Sequence, residues 1–350
     1  MTIPVVHTPD ERLAALAKPS LRKISSLTLT AGDTLIVCAG FEDRAVAALT
    51  LAVKASERFN LVVIGYAPFL PKNQEDRIRT TVDKLPGIVF MHLNYDRENP
   101  AGFGATLVEA VGHRSGRVYI DISGMSRLLI VQTLVAFGSR TGGLKDCSVL
   151  YTEAAEYPPT KADAEAGLQR STSDPTFSAL FLSSGVFGIT IVPELSSVSP
   201  APIQSRLIFF PGFDVHHFTA LRAELQPSRI TLIEGTPPHP SNGWRPVMIA
   251  ALNYLDSVPE AERTATSTLR YEETLSALVQ LYQRHGLRER LLIAPTGSKM
   301  QTVAVGLFRT YVVDAQIVYS TPRGFVSQDN YTRGVGPTYE LPLDSFAAIR

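Results

Sequence analysis

Arg117–Gly138 reads RVYIDISGMSRLLIVQTLVAFG, and Arg290–Tyr311 reads RLLIAPTGSKMQTVAVGLFRTY. Each opens with a short apolar run, turns through small residues that include a glycine, and continues in a segment that is apolar nearly all round. The first part reads as a strand buried on both faces, because continuous rather than alternating apolarity leaves no side for water. The second reads as a helix, with Met125, Leu128, Leu129, Val131, Leu134 and Val135 in one copy and Met300, Val303, Ala304, Leu307 and Phe308 in the other. A helix with no polar face belongs in an interior. Ser123-Gly124 falls on Thr296-Gly297, 173 residues apart.

The same spacing recurs on either side of this pair. Gly40 in TLIVCAGFEDRAVAALTLA matches Gly212 in RLIFFPGFDVHHFTALRAEL, 172 residues on. Gly65 of LVVIGYAP matches Gly235 of ITLIEGTP at 170, the third strands are read to contain Leu93–Tyr95 and Leu269–Tyr271, 176 apart, and Tyr151 of SVLYTE matches Tyr319 of QIVYST at 168. Helical patterns follow at 76–85 and 244–255, and at 103–112 and 272–285. Both copies close on a similar tail, GVFGITIVPEL from Gly185 and GVGPTYELPL from Gly334. The order predicts α/β architecture: two tandem Rossmann-like, doubly wound parallel-sheet domains from an internal repeat, at 1–198 and 199–350. A Pro/Ser-rich linker at Ser196–Gln204 joins them, and the first copy carries an extra polar stretch at about 156–182.

Composition agrees with two buried sheets. The chain has 350 residues, 45% hydrophobic and 19% charged, with a mean hydropathy of +0.07, and at about 100–200 residues per domain two domains are expected. Lys+Arg and Asp+Glu both number 33, so no broad basic face is available for duplex DNA. A small anion needs only a local cluster of cations. Cys38 and Cys147 lie in apolar runs and read as buried thiols of a reducing compartment. No Cys/His cluster has metal-ligand spacing, the start lacks the build of a signal peptide, and no apolar stretch reaches the roughly 18 residues of a membrane span. A cytoplasmic location is expected.

In open parallel sheets ligands sit beyond the carboxyl ends of the strands, where helix N-termini favour anions. Four strand-to-helix turns are therefore candidate sites. The first holds Gly40, Glu42 and Arg44; the second Asp121, Ser123, Gly124, Ser126 and Arg127; the third Gly212 with the adjacent His216 and His217; the fourth Thr296, Gly297, Ser298 and Lys299. Glycine permits close backbone approach, hydroxyls and the Asp121 carboxyl can bind sugar or phosphate, and the cations add charge. Helix capping and turn-making are the structural alternative for each. Adjacent histidines diverge on a helix and are poor partners for one metal, though one could act as a base. Asn73, Arg77, Glu234, His239, Asn242 and Arg245 follow second strands and can line the same clefts. There is no GxGxxG, Walker A, GxSxG or HExxH motif, and nothing calls for a cofactor or metal.

Thr296-Gly297-Ser298-Lys299-Met300 resembles the T-G-G-T-K-x-M loop of CRISPR-associated Rossmann fold (CARF) domains, with one residue fewer, and Ser123–Arg127 is a looser version. A two-copy chain is similar to SAVED domains, in which two CARF-like units are fused. The resemblance implies a cyclic oligonucleotide ligand held between the copies and a sensor or regulatory role in antiphage defence. Such domains usually carry an effector, and none is evident here, so a separate effector protein is implied. Two other readings stay open. One is an enzyme, a metal-independent ring-nuclease-like phosphodiesterase using Ser123, Ser126, Arg127, Ser298 and Lys299. The other is a non-catalytic scaffold or partner subunit that presents the 156–182 stretch.

Overall fold

The computed structural model describes residues 8–83, 87–112, 116–174, 181–197, 204–324 and 331–347. Parts of the linker (198–203) and of the extra stretch (175–180) lie outside the described residues. The first half runs α1 (Pro9–Ala15), β1 (Arg22–Ile24), β2 (Thr34–Cys38), α2 (Ala47–Ala55), β3 (Phe59–Ala67), α3 (Glu75–Val82), β4 (Ile88–Asp96), α4 (Phe103–Val111), β5 (Val118–Asp121), α5 (Arg127–Gly138), β6 (Cys147–Thr152), α6 (Lys161–Ser173) and β7 (Val186–Thr190). The second runs β8 (Gln204–Phe209), α7 (His216–Leu225), β9 (Arg229–Thr236), α8 (Arg245–Leu252), β10 (Glu262–Ser267), α9 (Tyr271–His285), β11 (Glu289–Ala294), α10 (Lys299–Tyr311), β12 (Gln316–Ile317), β13 (Tyr319–Pro322) and β14 (Thr338–Pro342).

The parallel strands of the first sheet are ordered β4-β3-β2-β5-β6, and the second sheet is ordered β10-β9-β8-β11-β12. In each, the first strand of the unit lies between the second and the fourth. Each sheet therefore has a topological switch point, at β2/β5 and at β8/β11, where a crevice opens at the carboxyl ends. This is the Rossmann-like α/β architecture expected. One strand was misplaced by the sequence pattern: Leu269–Tyr271 follows the third strand of the second sheet, which is Glu262–Ser267. That strand, ERTATS, lies at a sheet edge and is half-exposed, so it carries no apolar run to find.

Burial on both faces explains the continuous apolar runs. Ile36 and Cys38 of β2 enter a core shared with Ile208 and Ile293 of the second sheet, while Leu35 and Val37 pack on the opposite face. The shared core includes α5 and α10, whose residues from Leu128 to Val135 and from Met300 to Arg309 are all buried. The two helices lie between the sheets and run in the same direction. A Cβ on Gly306 would sit 2.7 Å from Leu134 Cδ1, and one on Gly138 would sit 2.3 Å from Thr310 Cγ2, so contacts advance together along both. Glycine at these two points lets the backbones close. Cys38 and Cys147 are buried free thiols.

The tails cross between the halves. β7 pairs antiparallel with β13, Thr190 opposite Tyr319. β14 pairs antiparallel with β6, Tyr339 opposite Tyr151, and its far side takes β1. At the other end of the chain, Tyr271 of α9 donates to the carbonyl of Pro19 at 3.0 Å. A boundary at 198/199 thus follows the parallel cores but not the tails: 338–342 completes the first sheet, and 186–190 joins the second half. The reason is edge protection, since each tail covers backbone groups that an open strand would expose.

A core common to both halves predicts one cooperative transition in urea, with no separate unfolding of either half. Leu134→Ala, at a fully buried site on the α5–α10 contact, is expected to destabilise that single transition by about 2–5 kcal/mol. Two resolved transitions, or a loss confined to one half, would contradict the shared core.

Candidate functional site

The carboxyl ends of both sheets open on one cleft of about 310 Å³. Its walls include the turns after β2, β3, β4, β5, β8, β9, β10 and β11, with Tyr151, Tyr157, Pro158, Tyr331 and Thr332. Gly40, Glu42, Arg44, Gly124, Ser126, Arg127, Gly212, Thr296, Gly297, Ser298 and Lys299 all line it. Asp121 and Ser123 do not, being fully buried beneath. Of the second-strand residues, Asn73, His239, Asn242 and Arg245 reach the cleft, whereas Arg77 and Glu234 are not among its lining residues.

The N-caps fix the register of the two central helices. Ser126 accepts from the Leu129 amide at 3.3 Å, and Ser298 accepts from the Gln301 amide at 3.1 Å. The caps are 172 residues apart, which shifts the sequence alignment by one and sets Arg127 against Lys299. Each of these cations then reaches into the opposite half. Arg127 Nε donates to the Gly297 carbonyl at 2.5 Å. Lys299 Nζ donates to the carbonyls of Met125, at 3.0 Å, and of Ser123. Each also faces an acid of the other half. Lys299 pairs with Glu42 at 3.1 Å, and the charge of Asp214 acts on Arg127.

This crossed arrangement changes the role expected for several residues. Lys299 was expected as an open anion cradle, but its three protons are consumed by Glu42 and the carbonyls of the β5–α5 turn, so it holds that turn instead. Burial pushes its ammonium down to about 8, and Glu42 offsets only part of that. Burial would raise Glu42, but Arg44, Lys299 and Thr332 outweigh it and hold the carboxyl at about 2. Arg44 is likewise occupied, by Glu42 at 2.6 Å, by the Thr152 carbonyl at 3.0 Å and by the rings of Tyr151 and Tyr157. Ser123 Oγ accepts from the Thr152 amide at 2.9 Å. Thr296 Oγ1 donates to the Phe210 carbonyl at 2.7 Å, and Ser298 Oγ to the Thr268 carbonyl at 2.6 Å. Gly40 and Gly124 serve each other's approach: a Cβ on Gly124 would lie 2.2 Å from the Cys38 carbonyl oxygen, and one on Gly40 2.8 Å from that of Gly124. Gly212 has no such neighbour, its Cβ position meeting only the Thr296 oxygen at 3.8 Å.

His217 joins Asp214 at 3.5 Å to Ser320 on the other ring nitrogen. Burial would raise the Asp214 carboxyl, but His217, Ser183 and Arg127 hold it below the usual range. Ser320 is fully buried, so this Asp-His-Ser chain fixes the β7–β13 ribbon under the cleft and presents no nucleophile to it. Among the described residues no group of His, Cys, Asp and Glu could hold a metal ion, and no helix is long and apolar enough to cross a membrane.

Sequence reasoning did not single out Arg97, Tyr66, Tyr157 and Tyr331. Arg97 lines the cleft over the ring of Tyr66, 5.8 Å from its centroid, and its Nε has no hydrogen-bond partner among the described residues. Tyr66 accepts from the Ser126 amide at 2.5 Å and donates to the Gly124 carbonyl at 3.2 Å. Arg245 gathers the extra stretch onto the cleft, donating to the carbonyls of Tyr157 at 2.8 Å, Pro158 at 3.1 Å and Pro159 at 3.2 Å. Glu153, buried at the end of β6, lies 3.5 Å from His239 Nε2 at the mouth. Only the position of Arg97, one residue past a strand end, was a usable signal.

No family model matches the chain, and no curated protein matches it. Solved structures similar to it include the cytoplasmic domain of a prokaryotic cation chloride cotransporter, at 9% identity and a TM-score of 0.24, covering 83% of this chain and 95% of that one. A putative universal stress protein from Pseudomonas aeruginosa UCBPP-PA14 stands at 9% and 0.23, covering 83% and 93%. A functionally unknown protein from Pseudomonas aeruginosa PAO1 stands at 10% and 0.21, covering 83% and 92%. Likenesses this distant carry no argument about the site.

Asp121 provides a test of the buried floor. Burial raises its carboxyl from 3.8 to about 6, against hydrogen bonds from Ser123 and the charges of Lys299 and Arg44. One oxygen accepts from the Ser123 amide at 2.9 Å, and the other has no partner among the described residues. A raised folded-state pKa favours the fold below 3.8, and that advantage is lost as pH rises through 6. Asp121→Asn keeps the amide contact and removes the ionisation, so its stabilising effect is expected to be about 2 kcal/mol greater at pH 8 than at pH 4. A pH-independent effect in urea titrations would refute this.

Proposed function

We propose that the chain binds a nucleotide-type ligand in the cleft between its halves, as a sensor or regulatory subunit. The observation that carries this reading is the convergence of two parallel helix N-termini, α5 and α10, on one cleft walled by Phe41, Tyr66, Tyr157, Phe213 and Tyr331, with Arg97 and Arg127 on its surface. Helix N-termini and guanidinium groups suit phosphate. Aromatic walls suit bases. The two halves contribute related turns to opposite walls, which favours a ligand with two similar ends, and a cyclic oligonucleotide is the first candidate. The likeness of Thr296–Met300 to the CARF loop agrees with that choice, and with a separate effector in antiphage defence.

One observation favours a second reading, a phosphodiesterase. Glu153 is positioned to orient His239 as a base at the cleft mouth. The hydroxyls of Ser123, Thr296 and Ser298 are engaged in holding turns and are poor nucleophiles.

Differential scanning fluorimetry against mono-, di-, cyclic di- and larger cyclic nucleotides tests binding, because a ligand of the folded state alone raises the melting temperature. A shift is expected with at least one cyclic oligonucleotide. Arg97→Gln removes a charged donor and should weaken that ligand by about 10- to 100-fold, leaving the unliganded melting temperature unchanged. No shift across the panel would overturn the reading.

A further inference from the structure

Asn73 is the one buried asparagine among the described residues whose amide has no partner at either end. It is 7% exposed and lines the cleft, and neither its oxygen nor its nitrogen makes a hydrogen bond to any described residue. Buried asparagines elsewhere serve the fold. Asn60 Nδ2 donates to the carbonyls of Ala31 at 3.1 Å and Asp33 at 2.9 Å. Asn253 Nδ2 donates to those of Gly212 and Ile249, both at 2.9 Å. An unpaired buried amide costs about 1–3 kcal/mol, and a leucine or valine in its place would avoid that cost.

The backbone around Asn73 is fixed. Its own amide donates to the Leu70 carbonyl at 2.9 Å, and the next amide, of Gln74, donates to the Gly40 carbonyl at 3.1 Å. The side chain is thus offered to the cleft from a rigid turn. The same cleft is lined by Phe41, Tyr66 and Leu70, which give apolar surface, and by Arg97, which gives charge. In the second half, the turn after β9 brings Asn242 to the same cleft.

We infer that Asn73 is a specificity-determining residue that reads the edge of a nucleobase stacked against this wall. The inference rests on the nucleotide-binding reading and names the group within it that reads the base. A carboxamide offers one donor and one acceptor side by side, so its complement is a planar edge with an adjacent acceptor and donor. A carboxylate at the same point offers two acceptors and no donor. Its complement is an edge with two adjacent donors, which among the bases guanine supplies through its N1–H and N2–H groups.

The test compares wild type, Asn73→Asp and Asn73→Ala for binding of cyclic dinucleotides and mononucleotides of adenine, guanine, cytosine and uracil, by calorimetry. Asn73→Asp should move the guanine-to-adenine affinity ratio toward guanine by about tenfold or more. Asn73→Ala should flatten the ranking, with an unliganded melting temperature equal to or above that of wild type, because an unpaired buried amide has gone. An unchanged ranking in both variants, or a fall in melting temperature for Asn73→Ala, would assign Asn73 to the fold and overturn this inference while leaving nucleotide binding intact. If wild type bound none of these probes and none of the larger cyclic nucleotides, both readings would fall together.

Discussion

The cleft depends on the crossed contacts at the starts of α5 and α10. Arg127 and Lys299 each leave their own half to grasp a carbonyl of the other, Gly297 and Met125. Buried cations cost several kcal/mol unless paired and hydrogen-bonded, and here the opposite half supplies both carbonyls and acid. Neither helix start is complete alone. That requirement aligns the two N-termini, sets the separation of the sheets at this end and brings the four turns to one space. The glycines at 138 and 306 do the same further along, where a side chain would push the helices apart.

The parts of this arrangement visible in the sequence are those written in local pattern. Apolar runs such as LIVC and LLIA named the strands because both faces of each sheet are buried. The turns that line the cleft were legible for the same reason. What each side chain does there was not, since it depends on partners far away in the chain. Lys299 looks like an anion cradle until Glu42, 257 residues away, is seen to meet it. Ser123 looks exposed at a turn until the Thr152 amide takes its oxygen. The 198/199 boundary failed at the tails because an antiparallel strand added to a distant edge has no local signature. Thr338–Pro342 reads as the end of its own unit and pairs with another.

The floor and wall of the cleft divide the labour. Glu42, Arg44 and Lys299 form a buried charged layer whose members pair with one another, and Asp121 below meets the Ser123 amide with one oxygen and no described partner with the other. Above it, Arg97 and Asn73 keep polar atoms unmatched. Polar groups are costly inside a protein when unpaired, so the proposed ligand would be met by the unsatisfied wall and not by the satisfied floor. The extra stretch contributes Tyr157 and Pro158 to this wall, fastened by Arg245, so it is part of the container and not an appendage to it.

The returning tail also orders events in time. Thr152, at the end of β6, meets Thr338 of β14 across 186 residues of chain. A ribosome adding about 5–20 residues per second needs roughly 10–40 s to make that length. Through that interval the strand that pairs with the edge of β6 has not yet been made. The edge of β6 is therefore covered only once the second half has been made.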